Sequence, residues 1–292
     1  CFITPARFLF NAGKTPKEWN KKMLNDEHLK VEYYEQDSSK IFETTDIKGG
    51  VAITYRDNNK VFGKIGVFTH FDELNSILRK VVRNNFIGFD SIVGVQLDYK
   101  FKKDFNISQV GLKTNVFKKQ EKLFTDKKQS DNDFRILGLD GRDRTYKWIN
   151  SKYFDLPKNH QKWKVYLPTS NGSGAIGEVL STPLIGEPLI GEPLIGHTET
   201  FIGIGMFDNR KEAENCLKYI KTKFARAMLG TLKITQHNLA STWANVPLQN
   251  FTNSSDIDWT KSIEDIDKQL YKKYGLSDKE ISFIEEKIKE MN

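Results

Sequence analysis

Two arginines flank an aspartate in GRDRTY, Gly141 to Tyr146, with a tyrosine close behind. A guanidinium is a planar fork that clamps a phosphate or takes both acceptors on the major-groove edge of guanine. Arg142 and Arg144 have the capacity for either; the alternative is that they pair with Asp140 or Asp143 and fix the fold. Lys147 extends the same basic stretch. A second group, Lys162, Trp163, Lys164 and Tyr166, interleaves bases with aromatics. A third, Lys221, Lys223, Arg226 and Lys233, lies on or just past a long helical pattern. Both suit phosphate contact, the part of nucleic-acid binding that positions without specifying; a solvated, charged helix face is the other reading. QHN, Gln236 to Asn238, adds an amide such as Gln236 that can meet a base edge.

Chemistry beyond binding finds little support. His237 has no neighbouring acid or cysteine to form a triad or metal site, and His28, His70, His160 and His197 are scattered. No residue is assigned a catalytic or metal-binding role. GSGAIG, Gly172 to Gly177, has the spacing of a nucleotide-binding turn but sits in a turn-rich stretch, where a flexible loop is the better reading. DID, Asp256 to Asp258, falls in a tail that reads as structural.

The charge supports a polyanionic partner. Net charge is +7, and Tyr99 to Lys164 holds 17 Lys or Arg against 8 Asp or Glu, whereas Asp256 to Asn292 holds 7 against 10. A basic middle that faces nucleic acid would produce this asymmetry, although many globular surfaces are equally basic. No apolar run approaches the roughly 18 residues of a membrane span. Cys1 and Cys216 are too far apart to suggest a metal knuckle or a disulfide framework, so a reducing cytoplasm is expected.

Positioning these groups falls to the following elements. CFITPARFLF reads as a buried strand, followed by a polar turn from Asn11 and a helix from Pro16 to about Leu24. LKVEYY is a strand, and GGVAITYRDNNKVFG has the alternation and turn residues of a hairpin. Phe71 to Val82 has one apolar helix face, with Asp72 as cap. Residues 86 to 165 read as irregular β structure. PLIGE at Pro183, PLIGE at Pro188 and PLIG at Pro193 form a five-residue repeat, too short for a solenoid unit; Pro and Gly in each copy predict an expanded loop, with regular strand pairing as the alternative. Phe201 to Met206 is a strand and Asp208 to Leu229 one helix. Two tail helices follow, Ser262 to Tyr274 and Ser277 to Met291, split by Gly275, the second opened by the capping box SDKE.

Several segments together resemble one family. ITPARFLF, SSKIFETTDIKGGVAITY and GLDGRDRTYKWI, then TKFARAMLG, WANVPLQNF and DIDWTKSIEDIDKQLYKKYGL, are similar in order to adenine-specific DNA methyltransferases of type II restriction-modification systems, including the type IIG-like enzymes fused to an endonuclease and those with a TaqI-like C-terminal specificity domain. The likeness spans essentially the whole chain and implies the C-terminal part of such an enzyme. It implies an α/β remnant of a Rossmann-like methyltransferase sheet over residues 1–85, a mixed α+β target-recognition domain over 86–255 and a helical tail over 256–292.

By the same resemblance the partner is duplex DNA, and S-adenosylmethionine is the methyl donor of the intact enzyme. The family's donor-binding turn and Pro-Pro-Tyr loop are not found in this sequence, so this chain is expected to bind no donor and to need a methyltransferase half or a catalytic subunit. Mg would enter only with a fused nuclease. The alternative is a free-standing specificity subunit that recruits catalytic chains. A base must leave the stack before its amino group can be methylated; in the family an aromatic residue before the hairpin helps hold it, and Phe42 matches that place, although it could equally fill the core beside Ile41. Lys48, beside Gly49 and Gly50, is placed to approach a phosphate or to stay solvated.

Overall fold

The first strand, β1 (Phe2–Pro5), lies at a sheet edge in the computed structural model, and its Phe2 and Ile3 are 67% and 60% exposed. The buried strand expected here is therefore corrected: burial falls on the 3-10 turn that follows, where Ala6, Phe8 and Leu9 are enclosed. The structure describes residues 1–10, 15–44, 47, 50–83, 86–105, 107, 111–171, 180, 185–233 and 236–291. Asn11 to Lys14, Lys48, the Gly172 to Gly177 stretch and the first residues of the repeat, Pro183 and Leu184, lie outside the described residues. The chain divides into two units, Cys1–Arg79 and Lys80–Asn292.

In the first unit, α1 (Lys17–Leu24) is followed by β2 (Leu29–Glu35) and β3 (Val51–Arg56). The sheet runs β1-β3-β2 and is antiparallel throughout. Because β3 is already paired on both sides, the expected hairpin with Val61 to Gly63 does not form. The turn itself does, with Lys60 N–H donating to Asp57 O at 3.1 Å, but Phe62 N–H then donates to Glu27 O at 2.7 Å. Ala6, Phe8, Leu9, Leu24 and Ala52 make the core, edged by a T-shaped set of Phe10, Tyr34 and Phe68 at 5.4–5.7 Å. Then comes α2 (Asp72–Val81), started by an amide clasp: Asn75 Oδ1 accepts from Thr69 N–H and Asn75 Nδ2 donates to Thr69 O, both at 2.9 Å.

The second unit contains β4 (Lys100–Phe101), α3 (Val116–Lys119), β5 (Asp133–Asp140), β6 (Asp143–Asn150), β7 (Phe154–Asp155) and β8 (Trp163–Pro168). It continues with β9 (Leu189–Gly191), β10 (Ile195–His197) and β11 (Phe201–Phe207). Its sheets are β10-β5-β6, β11-β8-β9 and β4-β7. The middle of the chain is thus more regular than its sequence suggests, since β5 and β6 form an eight-residue hairpin in continuous register. Its connection is Gly141-Arg142, with Gly141 at φ +63 and Arg142 not in the left-handed region, the pattern of a type II′ turn.

The repeat is also more ordered than a loop. Its second copy supplies β9, antiparallel to β8, and its third supplies β10, parallel to β5. Ile185 and Ile195 are buried, and a Cβ on Gly191 or Gly196 would strike Tyr166 or Ile136 at 2.5 or 2.6 Å. Glycine is therefore required for close approach of the strands rather than for looseness.

The single helix expected after β11 is two: α4 (Arg210–Lys221) and α5 (Lys223–Gly230), broken at Thr222. Thr222 leaves the helical region at ψ 148, donates its hydroxyl to Tyr219 O at 2.6 Å and accepts from Ala225 N–H at 3.1 Å, so it closes one helix and caps the next. The tail forms α6 (Ile263–Tyr274) and α7 (Asp278–Lys287), with Gly275 in the left-handed C-cap and the Ser277–Glu280 capping box as expected. No helix among the described residues is long and apolar enough to cross a membrane.

Candidate nucleic-acid interface

A small aromatic core within the second unit sorts its residues by chemistry. Tyr99, Phe101, Leu112, Val116, Phe117, Phe124, Phe134, Ile136, Ile149 and Phe154 pack together. The lysines beside them in sequence point outward: Lys100 next to Phe101, Lys118 and Lys119 after Phe117, Lys122 before Phe124 and Lys152 before Tyr153 are all exposed. Lys103, Lys113, Lys127 and Lys158 are exposed as well. Lys118, Lys119, Lys122 and Lys127 make no ion pair with a described residue, unlike Lys128, which pairs with Asp131 at 3.2 Å. The core takes the aromatics and the surface takes the ammonium groups, which leaves point charges suited to phosphates.

The β5-β6 hairpin carries the arginines. Arg142 stands exposed at its tip and makes no ion pair with a described residue. Arg144, expected to pair with Asp140 or Asp143 if structural, instead donates to Glu187 O at 2.8 Å, with its second nitrogen 4.0 Å from the Glu187 carboxylate. Its guanidinium lies over Phe201 at 5.5 Å. Arg135 stacks over Tyr146 at 5.4 Å and Trp148 at 5.9 Å while bonding Glu192 at 3.2 Å. Lys147 pairs with Asp126 and Lys162 with Asp208, both at the surface. Gln236 is exposed, and its carbonyl accepts from Asn171 N–H at 3.0 Å. In the first unit Phe42 is 41% exposed, in the turn after Ser38, so it is not the core residue that one reading proposed.

Other cations expected at the surface are enclosed, and these are corrections. Lys164 and Lys233 are fully buried and Arg226 is 1% exposed, so none presents its charge to a groove. Lys164 reaches Ile195 O at 3.3 Å and His160 O at 3.4 Å, and burial lowers its pKa to about 8. Burial lowers Lys233 to about 8 also. Arg226 donates to the carbonyls of Lys221 and Lys289, bracing the chain after α7. Lys223 pairs with Glu285, while its N–H and that of Phe224 donate to Asp267 at 2.9 and 2.8 Å. Asp267 thereby caps α5, although burial raises its pKa to about 6.

Around Lys164 lies a polar centre that sequence reasoning missed. Tyr166 and Tyr99 donate to the same Ile195 carbonyl at 2.6 and 3.3 Å, and Tyr99 Oη is 3.1 Å from His160 Nδ1. His197 Nε2 lies 3.9 Å from Asp98 Oδ2. Burial holds His160 and His197 near a pKa of about 4, with the Lys164 charge adding to it, and raises Asp98. These groups brace β8 against β10. Among the described residues no cluster of His, Cys, Asp and Glu could hold a metal ion. The lysines on the aromatic core were missed too, as individuals; the signal was their alternation with Phe, Tyr and Val.

No family model matches the chain, and no curated protein does. One solved structure resembles it: the type IIG restriction endonuclease BpuSI, at a TM-score of 0.38 and 11% identity, over 98% of this chain and 45% of that one. The chain therefore spans less than half the length of that protein.

Proposed function

We propose that this chain binds duplex DNA through the lysines displayed on its aromatic core and reads sequence with the β5-β6 hairpin. The observation that carries this is the sorting of that core: aromatics inward, and Lys118, Lys119 and Lys122 outward without carboxylate partners among the described residues. Ammonium groups supply affinity by displacing condensed counterions. Arg142, exposed at the hairpin tip with no ion pair to a described residue, has the fork geometry to take guanine O6 and N7. The resemblance noted in the sequence gives the larger setting: recognition within a site-specific adenine methyltransferase of a restriction-modification system, in which the bound site presents one adenine for methylation by S-adenosylmethionine. Phe42, exposed, is the candidate to stack on that base.

Selection from a random duplex library tests the reading. One motif should be enriched by the 292-residue chain, and Arg142→Ala should lose preference at one position, worth about 1–3 kcal/mol there, with little change on random DNA. Recovery of no motif would remove sequence reading from the proposal.

A further inference from the structure

The repeat places chemically identical residues against the hairpin arginines. Glu187 closes the first PLIGE copy and Glu192 the second; Glu187 faces Arg144 and Glu192 bonds Arg135. The corresponding position of the third copy is His197, which turns inward. The two arginines share one face of the hairpin: Arg135 is opposite Trp148 and Arg144 opposite Leu139, with Tyr146 between them on β6. Leu137 of that face is buried in a small core with Tyr166, Ile195 and Phe201, but its outer part stays accessible, since Tyr146 is 38% exposed and the Glu187 and Glu192 side chains are 87% and 50% exposed.

Both guanidiniums also have an attachment that does not depend on the carboxylates. Arg144 lies over Phe201 and donates to the Glu187 backbone carbonyl, and Arg135 lies over Tyr146 and Trp148. Stacking on an aromatic face holds the plane of the fork while leaving its edge free to exchange one acceptor for another. Exposed ion pairs are weak enough to be given up to a phosphate.

We propose that Glu187 and Glu192 are exchangeable anionic placeholders on a DNA-contacting face, holding Arg144 and Arg135 in position until phosphates of a duplex displace them. This rests on the duplex-binding proposal above. It assigns the repeat a regulatory part in recognition: its glutamates set how much of the arginine charge is available to DNA.

The test compares the full chain, a Glu187→Gln/Glu192→Gln variant and the same variant carrying Arg135→Gln/Arg144→Gln, each titrated with a 25-base-pair random-sequence duplex. Glutamine keeps the side-chain size, and the Arg144 bond to the backbone of residue 187 survives. Removing two weak competing pairs should tighten binding about fivefold to tenfold at low salt, and the added arginine changes should abolish that gain. Thermal unfolding of each variant is measured in parallel. Unchanged affinity in the glutamine variant, with melting unchanged or lowered, would overturn the proposal and leave the glutamates as braces of the fold. A gain that persists without the arginines would also overturn it, by showing that they do not carry the effect, and so would an equal gain from Glu18→Gln/Glu290→Gln, which adds the same charge elsewhere, by showing that only bulk charge matters. If the parent chain binds no duplex, it is the duplex-binding reading that fails.

Discussion

The Lys164 ammonium donates to the Ile195 carbonyl oxygen at 3.3 Å, a bond that joins β8 to the third copy of the repeat. The same carbonyl also receives Tyr166 and Tyr99, so the cation is not its sole partner. Lys164→Met keeps the packing of the stem while removing a buried charge, and should leave stability within about 1.5 kcal/mol of the parent at pH 7. Lys164→Ala adds a cavity and should cost about 2–5 kcal/mol. Neither should alter duplex affinity, because the side chain is buried. Burial lowers the folded pKa to about 8 from 10.5, so the unfolded chain binds more protons between these values and stability from this group rises with pH across that window. Chemical denaturation at pH 8 and pH 10 should show a smaller alkaline gain in Lys164→Met than in the parent.

Acid should act on the same centre in the opposite range. His160 and His197 are held near about 4, below their ordinary 6.5, so their contribution is complete above pH 6.5 and is lost as pH falls toward 4. Asp267, raised to about 6, works against this trend, as does Asp98. The comparison that isolates the histidines is a His160→Asn/His197→Asn variant beside the parent. Between pH 6.5 and 4 the parent should lose more stability than the variant, by up to roughly 3 kcal/mol for each ring. Parallel loss in both proteins would show that the rings protonate freely.

Deleting residues 183–192 leaves one copy of the repeat, which cannot supply both β9 and β10, and so exposes one edge of β8. A surface loop would absorb the loss for a few tenths of a kcal/mol. Here the deletion should cost several kcal/mol and lower the melting temperature by more than about 10 °C. A melting temperature within a few degrees of the parent would return the repeat to the status of an insertion.

Local signals carried much of the fold. Gly275, the Ser277–Glu280 box, α1, β2 and β11 follow from capping residues and apolar periodicity, which act over a few positions. What failed depended on distant partners. Thr222 sits inside a continuous helical pattern, and the break is matched by Asp267, which accepts from the two amides that follow it. PLIGE reads as loose chain because Pro and Gly dominate it, whereas the strand it forms is set by β8 and β5. The β5-β6 turn is signalled locally only by Gly141 at the first central position of a type II′ turn, because charged residues, Asp140, Arg142, Asp143 and Arg144, surround it where a hairpin signal would have apolar flanks. Charge was legible as a regional excess and not as individual contacts, since Lys162 to Tyr166 looked like one basic-aromatic surface and yet Lys164 points inward.

The most direct measurement is the salt dependence of duplex binding by the full chain and by a Lys118→Gln/Lys119→Gln/Lys122→Gln variant. These side chains are exposed and make no ion pair with a described residue, so the variant should melt with the parent. A plot of log affinity against log salt should be steep for the parent, and its slope should shrink by up to about 2.7 in the variant if each lysine neutralises one phosphate. A flat plot for the parent, or the same slope and affinity in both proteins, would contradict the account.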